Sequence, residues 1–372
     1  MDTITHGLFG AAIGAAFPAA PHRRRAAALA AAAAMLPDAD IFLRGILEHR
    51  AETHSFFYLA AAVPLLAATL GRWLRGWTFR RRCGLLFLAL FSHPLLDLLN
   101  SYSTRVGLPF TEERAALDIL PIVDPLFALP LLLSAALVFL RRNTRAAENA
   151  AQADKLSARA GKMALLWCFL YILAGAHCRN TAYDLTLAEA ARAEAALTGT
   201  AAPENAPATV RVSPLTGTIF LWRGAAVYPG RHARVFYADA LRRRVFYRSA
   251  PLTDYRGPEV EELLRTPEAR DFQDFTGGAF VVAAAVRRHL SPGPDGKAAP
   301  ERPGDVWLCD LRYGTLAAPD RPLFRLYFPA PDADGRRAGG QRVAGFRPGD
   351  AGIGRELSLL WRVLATGALP ED

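Results

Sequence analysis

The sequence predicts a helical membrane bundle followed by a smaller soluble α+β domain that is rich in β-strands. Nearly all the long apolar runs lie in residues 1–180 of the 372-residue chain, and arginine clusters separate them. After residue 180 the apolar stretches become short, aromatic and β-branched, as in strands, and Pro, Gly and charged residues are spread throughout. We therefore predict one domain of residues 1–180 and a second of residues 181–372.

Six apolar segments predict about six membrane helices, at 7–20, 26–37, 55–70, 84–99, 119–140 and 163–177. The first two segments are shorter than the ~20 residues that a perpendicular span needs. They predict short helices, tilted helices or a re-entrant hairpin. A Gly-x-x-x-Gly step, Gly10 and Gly14, favours close helix packing in the first segment. The polar stretch 143–162 predicts a soluble connector.

The net charge of +9 comes largely from arginines placed between the apolar runs, at 23–25, 80–82 and 141–142. Alternating basic loops are the positive-inside pattern of a multi-pass membrane protein, and they differ from the basic stripe of a nucleic-acid groove. We therefore expect no nucleic-acid partner. The basic loops belong in the cytoplasm, so the N-terminus, loops 38–54 and 100–118, and residues 181–372 belong outside.

This topology places a scattered set of acids and histidines at one membrane face. The set comprises His6, Asp38, Asp40, His49, His54, His93, Asp97 and Asp118. An ionisable side chain beside hydrocarbon is costly unless it binds something. A random scatter would divide such residues between both faces, so their convergence predicts a metal site at the outer face.

The sharpest motif is Ser92-His93-Pro94-Leu95-Leu96-Asp97. Its histidine and aspartate are four residues apart, so they share one helix face and can bind one zinc-like ion. An intrahelical hydrogen bond between them is the alternative. Asp38 and Asp40 follow the second apolar segment, where they can bind metal or cap the next helix.

The stretch 49–55 supplies two imidazoles, a guanidinium and two hydroxyls. His54 is predicted to be a ligand. Arg50 is predicted to clamp an anionic oxygen with its planar fork. In the alternative, Thr53 caps the third helix while His49 and Arg50 are solvated.

Three further polar residues depend on their surroundings. His6 lies at the start of the first helix, where a lone histidine is more often solvated. Only the other candidate ligands at this face favour the interpretation of His6 as a metal ligand. Asp118 begins the fifth segment from the same side. Asp124 lies within the apolar stretch and needs a partner, which is a metal, Arg114 or another helix.

The second domain shows strand patterns at 218–222, 233–237, 280–283 and 323–328, and helical patterns at 183–198, 258–265 and 354–366. A turn is predicted at 291–296. The chain has no serine-hydrolase elbow, phosphate-binding glycine loop or dinucleotide fingerprint. Its four cysteines show neither metal-ligand spacing nor a disulfide framework.

Several motifs of the first 180 residues resemble, in their order, those of the bacterial YdjM/YbcI-like family. They are Met1-Asp2-Thr3-Ile4-Thr5-His6-Gly7, Leu36-Pro37-Asp38-Ala39-Asp40, His49-Arg50 with Thr53-His54-Ser55, and Ser92-His93 with Asp97. Asp310-Leu311-Arg312-Tyr313-Gly314 also resembles a stretch in the soluble tail of such proteins. Members are described as inner-membrane, metal-dependent hydrolases, some of them LexA-binding or LexA-regulated.

The ligand order is also similar, more distantly, to that of the zinc-dependent phospholipase C and P1-nuclease group, which is all-α. Carried over by position, this resemblance implies that the metal ligands are His6, Asp38, His54, His93 and Asp97. The chain departs from that group because it has no clear downstream His-x-x-x-His or His-x-x-x-Glu pair.

Together, the residues and the resemblance predict a membrane-bound, metal-dependent hydrolase, with zinc as the expected metal. The expected substrate is a phosphoester or a lipid-like molecule at the membrane surface. The predicted catalytic residues are Asp40, His49, Arg50 and Asp118: Asp40 or Asp118 serves as ligand or base, and Arg50 stabilises developing negative charge. The alternatives are a non-enzymatic membrane scaffold or regulatory binding protein and, less favoured, an ion transporter.

Overall fold

The computed structural model describes residues 1–17, 22–43, 48–70, 73–74, 76–140, 147–199, 206–228, 232–284, 304–319, 322–332, 334, 337–344 and 353–369. The chain divides into two compact units, one of residues 1–176 with 216–218 and the other of residues 177–215 with 219–372. The first is helical and the second contains antiparallel β-sheets, so the order of the two predicted regions is confirmed.

Six α-helices lie in the described part of the helical region, and each predicted apolar segment coincides with one of them. They are α1 (Thr3–Ala16), α2 (Arg23–Met35), α3 (Phe56–Thr69), α4 (Phe79–Leu98), α5 (Pro125–Phe139) and α6 (Ala147–Thr198). Two 3₁₀ helices, Leu36–Leu43 and Glu52–His54, lie between α2 and α3. The predicted connector 143–162 is wrong as a separate element, because α6 already begins at Ala147 and continues without a break to Thr198.

Side-chain caps fix where these helices begin. Asp2 accepts from the Thr5 backbone N–H at α1, and Ser55 caps α3, so the alternative that placed Thr53 at that cap is wrong. Asp124 caps α5 and also accepts a 2.8 Å hydrogen bond from the hydroxyl of Tyr171 on α6. The partners that this buried acid requires are therefore the first backbone N–H groups of α5 and a side chain of another helix, α6.

Helices α1 and α2 pack with their backbones almost in contact. A Cβ added to Gly10 would lie 2.4 Å from the Ala30 carbonyl oxygen, and one added to Gly14 would lie 2.5 Å from the Ala27 Cα. Helix α6 approaches α1 closely through Gly161. The Gly-x-x-x-Gly step thus permits close helix packing, as the sequence predicts.

Arginines of the basic clusters bind carbonyl oxygens at the C-terminal ends of neighbouring helices. Arg24 donates to the Val138 oxygen of α5 at 2.9 Å, and Arg82 donates to the Ala67 oxygen of α3 at 2.8 Å. Arg23 binds the end of α1 in the same way. Positive charge is favourable there because the last carbonyls of a helix lack partners and carry partial negative charge.

Two antiparallel sheets form the β-rich unit, in the orders β1-β2-β3-β4, with β5 paired to β3, and β6-β7-β8-β9. The strands are β1 (Thr209–Pro214), β2 (Leu221–Tyr228), β3 (His232–Asp239), β4 (Arg244–Arg248), β5 (Leu252–Thr253), β6 (Phe280–Ala284), β7 (Val306–Asp310), β8 (Phe324–Phe328) and β9 (Gln341–Ala344). Helices α7 (Pro258–Leu263), α8 (Pro267–Thr276) and α9 (Ile353–Thr366) complete it.

Most predicted strands and helices of this unit agree with the structure. The predicted strand 218–222 is misplaced, since β2 begins only at Leu221, after a turn in which Gly217 has a φ of 94°. The turn predicted at 291–296 lies outside the described residues. Cys83, Cys168, Cys178 and Cys309 are all free.

Two helical stretches in the described part of the chain are long and apolar enough to cross a membrane, Arg23–Leu43 and Ala151–Thr198. The apolar helices α1, α3 and α5 are shorter. The prediction of about six spanning helices is therefore not confirmed by length and composition.

Candidate metal centre

Four separate helix ends meet in one buried cluster. His6 comes from the start of α1, Asp38 from the 3₁₀ helix after α2, His54 from the 3₁₀ helix before α3, and His93 and Asp97 from the last turns of α4. Asp38 is 7% exposed, and the other four residues are fully buried. The five predicted ligands, which span more than 90 positions of the sequence, thus lie side by side.

Several donor atoms of this cluster lie about as far apart as the ligands of a single ion. The Nε2 atoms of His54 and His93 are 3.0 Å apart, and they lie 3.7 and 3.3 Å from Oδ1 of Asp38. Oδ2 of Asp97 lies 3.4 and 3.6 Å from the same two nitrogens. Zinc bonds of about 2.0–2.2 Å place tetrahedral donors about 3.3–3.6 Å apart. The donor set therefore fits a zinc ion.

Hydrogen bonds at the far side of both rings favour the tautomer that leaves these nitrogens free to bind metal. Nδ1 of His93 donates to the Ala34 carbonyl oxygen at 2.6 Å. Thr53 donates its hydroxyl proton to Asp40 at 2.7 Å, so its oxygen accepts from Nδ1 of His54 at 2.9 Å. With Nδ1 protonated in each ring, both Nε2 atoms carry lone pairs. Nitrogen lone pairs and carboxylate oxygens thus lie close together, an arrangement that a bound cation would stabilise.

Asp40 lies behind the cluster and connects several of its residues. Its Oδ1 contacts Nδ1 of His49 at 2.8 Å, and its Oδ2 lies 3.5 Å from Nδ1 of His54 and accepts from the hydroxyl of Thr53. Asp40 also accepts from the backbone N–H of Arg50 at 3.3 Å. This carboxylate therefore holds two histidines in place from behind.

The Arg50 guanidinium turns inward instead of outward. It donates to Oδ1 of Asp97 at 3.1 Å, to the amide oxygen of Asn100 at 3.2 Å and to the carbonyl oxygen of Tyr102 at 2.6 Å. Its backbone has a φ of 63°, a strained value for a residue with a side chain. The alternative of a solvated Arg50 is wrong, because the residue is buried and its guanidinium compensates the negative charge of Asp97, a predicted ligand.

His6 lies on the other side of Asp97. Its Nε2 is 3.2 Å from Oδ1 of Asp97, and its ring stacks on that of His93 with 3.7 Å between centroids. The amino group of Met1 contacts the same carboxylate oxygen. Nδ1 of His6 makes no hydrogen bond within the described part of the chain. His6, His93 and Asp97 therefore form a second group of potential ligands that shares two residues with the first.

Of the comparisons with known proteins, one gives a match, and it lies in the helical region. The family model described as YdjM inner membrane protein matches residues 1–181. Residues 1–181 are therefore similar to the YdjM family. No curated protein and no solved structure matches the chain. The more distant resemblance to zinc-dependent phospholipase C and P1 nuclease is not shown by these comparisons.

Three predicted acids and histidines of the YdjM region stand apart from the potential ligand groups. Asp40, His49 and Asp118 belong to neither of them. Asp118 is buried in the loop after α4, next to backbone hydrogen bonds that tie Leu117 and Ile119 to the end of that helix. Its φ of 53° is again a strained value. Its predicted catalytic role remains a prediction.

Three supporting residues of the YdjM region were not predicted. Thr3 donates to Oδ2 of Asp38 at 2.5 Å, Thr53 links two predicted site residues, and Asn100 contacts Asp97 at 3.4 Å. Asn100 follows Asp97 by three residues, the spacing of one helix face, and this signal is visible in the sequence. The two threonines are found only once the tertiary fold is known.

The environment of His54 changes its acidity. Burial lowers the pKa of its imidazolium, but hydrogen bonds to Asp38 and Asp97 outweigh burial and raise the pKa above its usual value. A proton therefore competes with a metal ion for this ring at a higher pH than it would for a solvated histidine.

Proposed function

We propose that this protein is an inner-membrane, metal-dependent hydrolase that uses zinc and acts on a phosphoester or a lipid-like substrate at the membrane surface. The observation that carries the proposal is the convergence of buried histidine and aspartate donor atoms from four helix ends. Asp38, His54 and His93 would hold the ion and leave a position open for water, and His6 and Asp97 would support it from the neighbouring group. The YdjM family match supports the membrane location.

A multi-pass topology with the cluster outside agrees with the placement of charge. Arg23, Arg24 and Arg82 bind the C-terminal ends of α1, α5 and α3. The ligands lie at the N-terminal end of α1 and the C-terminal end of α4. If the arginines stay in the cytoplasm, the cluster faces the outer side, and the domain of residues 181–372 follows there.

Hydrolysis adds the OH of water to phosphorus, breaks the bond to the leaving oxygen and passes the second water proton to that oxygen. When bound, zinc would supply Lewis-acid chemistry and lower the pKa of water. His49 is placed to carry the proton, because Asp40 holds its Nδ1 and its side chain is 32% exposed while the ligands are buried. Arg50 balances the charge of Asp97 and stabilises negative charge beside it.

A second candidate function is a non-enzymatic membrane protein with a structural zinc. The burial of the donors favours it, since structural sites have closed shells and catalytic sites keep a position open. The transporter alternative gains nothing from Asp124, because this acid is engaged as a helix cap and by Tyr171.

Metal analysis of the purified chain tests the proposal. We expect about one bound zinc per chain, lost in the double variant His93→Ala, Asp97→Ala. The control is Asp124→Asn. This position lies outside the cluster, and asparagine can still cap the start of α5. Equal zinc in all three proteins would refute the metal site.

The variant His49→Gln then separates the two functions. It should keep its zinc and lose hydrolysis in a screen of phosphodiesters and phospholipids. A wild-type protein that binds zinc but hydrolyses none of these substrates would favour the structural alternative, as would a cobalt-substituted spectrum of four protein ligands and no water.

A further inference from the structure

An apolar groove with a volume of about 550 Å³ lies between α1 and α4. Phe9 and Phe17 line it from α1, and Phe87, Phe91 and Leu95 line it from α4. Its volume falls within the range of about 300–1,000 Å³ that is typical of small-molecule sites. The groove is therefore large enough for a ligand, and it is built mainly from two helices that also carry predicted metal ligands, with Leu165 of α6 lining it as well.

The wall of the groove offers almost no hydrogen-bonding group. Ser92 provides the single hydroxyl among the described lining residues, and it donates to the Ala89 carbonyl oxygen at 2.7 Å. A polar ligand such as a peptide, sugar or nucleotide would lose its hydrogen bonds to water there without replacement. The chemistry of the wall thus selects a hydrocarbon.

One end of the groove is lined by residues that neighbour the metal cluster along α1 and α4. Phe9 follows His6 by one helical turn, and Ser92 directly precedes His93. The other end lies eight residues further along α1, at Phe17, so the groove is about 12 Å long at 1.5 Å per residue. That length is close to one leaflet, since the hydrocarbon core of a bilayer is about 30 Å thick.

We propose that this groove holds an alkyl chain of a membrane lipid whose phosphate-bearing head lies at the His–Asp cluster, so that the lipid is the substrate. The inference rests on the proposed function and narrows it to lipid phosphoesters. A lipid of the outer leaflet has its head at the level of the cluster and its chains running towards the bilayer centre, as the groove does. The groove positions the scissile bond by holding the chain.

Photo-crosslinking tests the groove directly. The full chain is placed in phosphatidylcholine nanodiscs that contain a small fraction of phosphatidylglycerol with a diazirine on one acyl chain. The groove variant is Leu88→Trp, which fills the cavity from α4. The matched control is Leu133→Trp, an equally bulky change on α5 at an exposed leucine outside the groove.

We expect adducts on α1 and α4 in the wild type, and at least a fivefold lower yield on those helices in Leu88→Trp but not in Leu133→Trp. Equal yields in all three proteins, or adducts spread evenly over the lipid-facing helices, would overturn the proposal. Crosslinked dimers whose contact maps to the groove would show that a second copy occupies it, which also overturns the proposal.

Hydrolysis separates this inference from the proposed function. The wild type and both variants are assayed on a long-chain phosphatidylglycerol and on bis(p-nitrophenyl) phosphate, which has no alkyl chain. Leu88→Trp should lower kcat/KM about tenfold for the lipid and leave the small diester unchanged. If the ratio of kcat/KM for the lipid to kcat/KM for the small diester is the same in all proteins, the substrate assignment is refuted but the proposed hydrolase activity is not. Hydrolysis of neither compound by the wild type would refute the proposed function, while the adducts still decide what the groove binds.

Discussion

The Nε2 atoms of His54 and His93 lie 3.0 Å apart, and the Nδ1 atom of each ring is hydrogen-bonded on its far side. Two lone pairs at this distance repel each other unless a cation lies between them. The carboxylates of Asp38 and Asp97 add two further acceptors to the same point. A proton or a metal ion between the two nitrogens would relieve this repulsion, and the predictions below test which of them is present.

Removal of the metal should destabilise the protein. Ligand binding at 100 times its Kd stabilises a fold by about 2.7 kcal/mol, so chelation should cost about 2–4 kcal/mol of unfolding free energy. Thermal unfolding followed by circular dichroism, with and without a zinc chelator, measures this change. The variant His93→Ala, Asp97→Ala is the control and should be insensitive to the chelator; the same Tm with and without chelator in the wild type would contradict the prediction.

Zinc affinity should fall as the pH falls, because protons compete with zinc for His54. The fall should begin above pH 6.5, the ordinary pKa of histidine being about 6.5, because the pKa of His54 is raised. Without metal, the protonated His54 stabilises the fold fully below the unfolded pKa, and this contribution is lost as the pH rises through the folded pKa. The stabilisation by zinc should therefore grow from pH 6 to pH 8. Competition titrations and melting curves at these pH values measure both effects, and a pH-independent affinity would speak against His54 as a ligand.

Asp40→Ala should weaken zinc binding without removing a ligand. The carboxylate holds the rings of His49 and His54 from behind, and loss of such a partner costs about 10–100-fold in metal affinity. Asp40→Asn should retain more affinity, because its amide oxygen can still accept from Thr53. Calorimetric zinc titrations of the two variants measure the difference. A complete loss of zinc in both would instead make Asp40 a direct ligand.

Gly10→Ala should separate α1 from α2 and disturb the metal site at a distance. The new Cβ would lie 2.4 Å from the Ala30 oxygen, and overpacking of this kind costs about 1–3 kcal/mol. The control is Gly84→Ala on α4, whose Cβ would meet only Phe17 at 3.7 Å. Melting temperature and zinc content measure both effects. Equal stability of the two variants would show that α1 and α2 are less tightly packed than described.

The helices and the gathering of the ligands follow from simple features of the sequence. Long apolar runs predict helices because hydrocarbon side chains must be buried or face lipid, and each run coincides with a helix. Alternating arginine clusters assign a direction to each helix, which is enough to bring His6 near His93. Pro125 and Asp124 mark the start of α5 through a missing N–H and a cap.

Other features depend on contacts between residues that are distant along the chain. The inward orientation of Arg50 requires Asn100 and Tyr102 to be close to it, and no local pattern encodes that. The continuity of α6 was missed because residues 143–162 are polar, although alanine and charged side chains favour a helix as much as they favour solvent. The shared role of Thr53 and Asp40 is likewise a tertiary property.

The clustered side chains come from positions 6 to 97. During synthesis the centre cannot close until α4 has emerged from the ribosome and entered the bilayer. Until then, Asp38 and His54 lack the cluster residues that α4 supplies, His93 and Asp97. If the centre binds metal as proposed, it can do so only once α4 has been made, and a chain that ends after α3 should bind no zinc because it lacks His93 and Asp97.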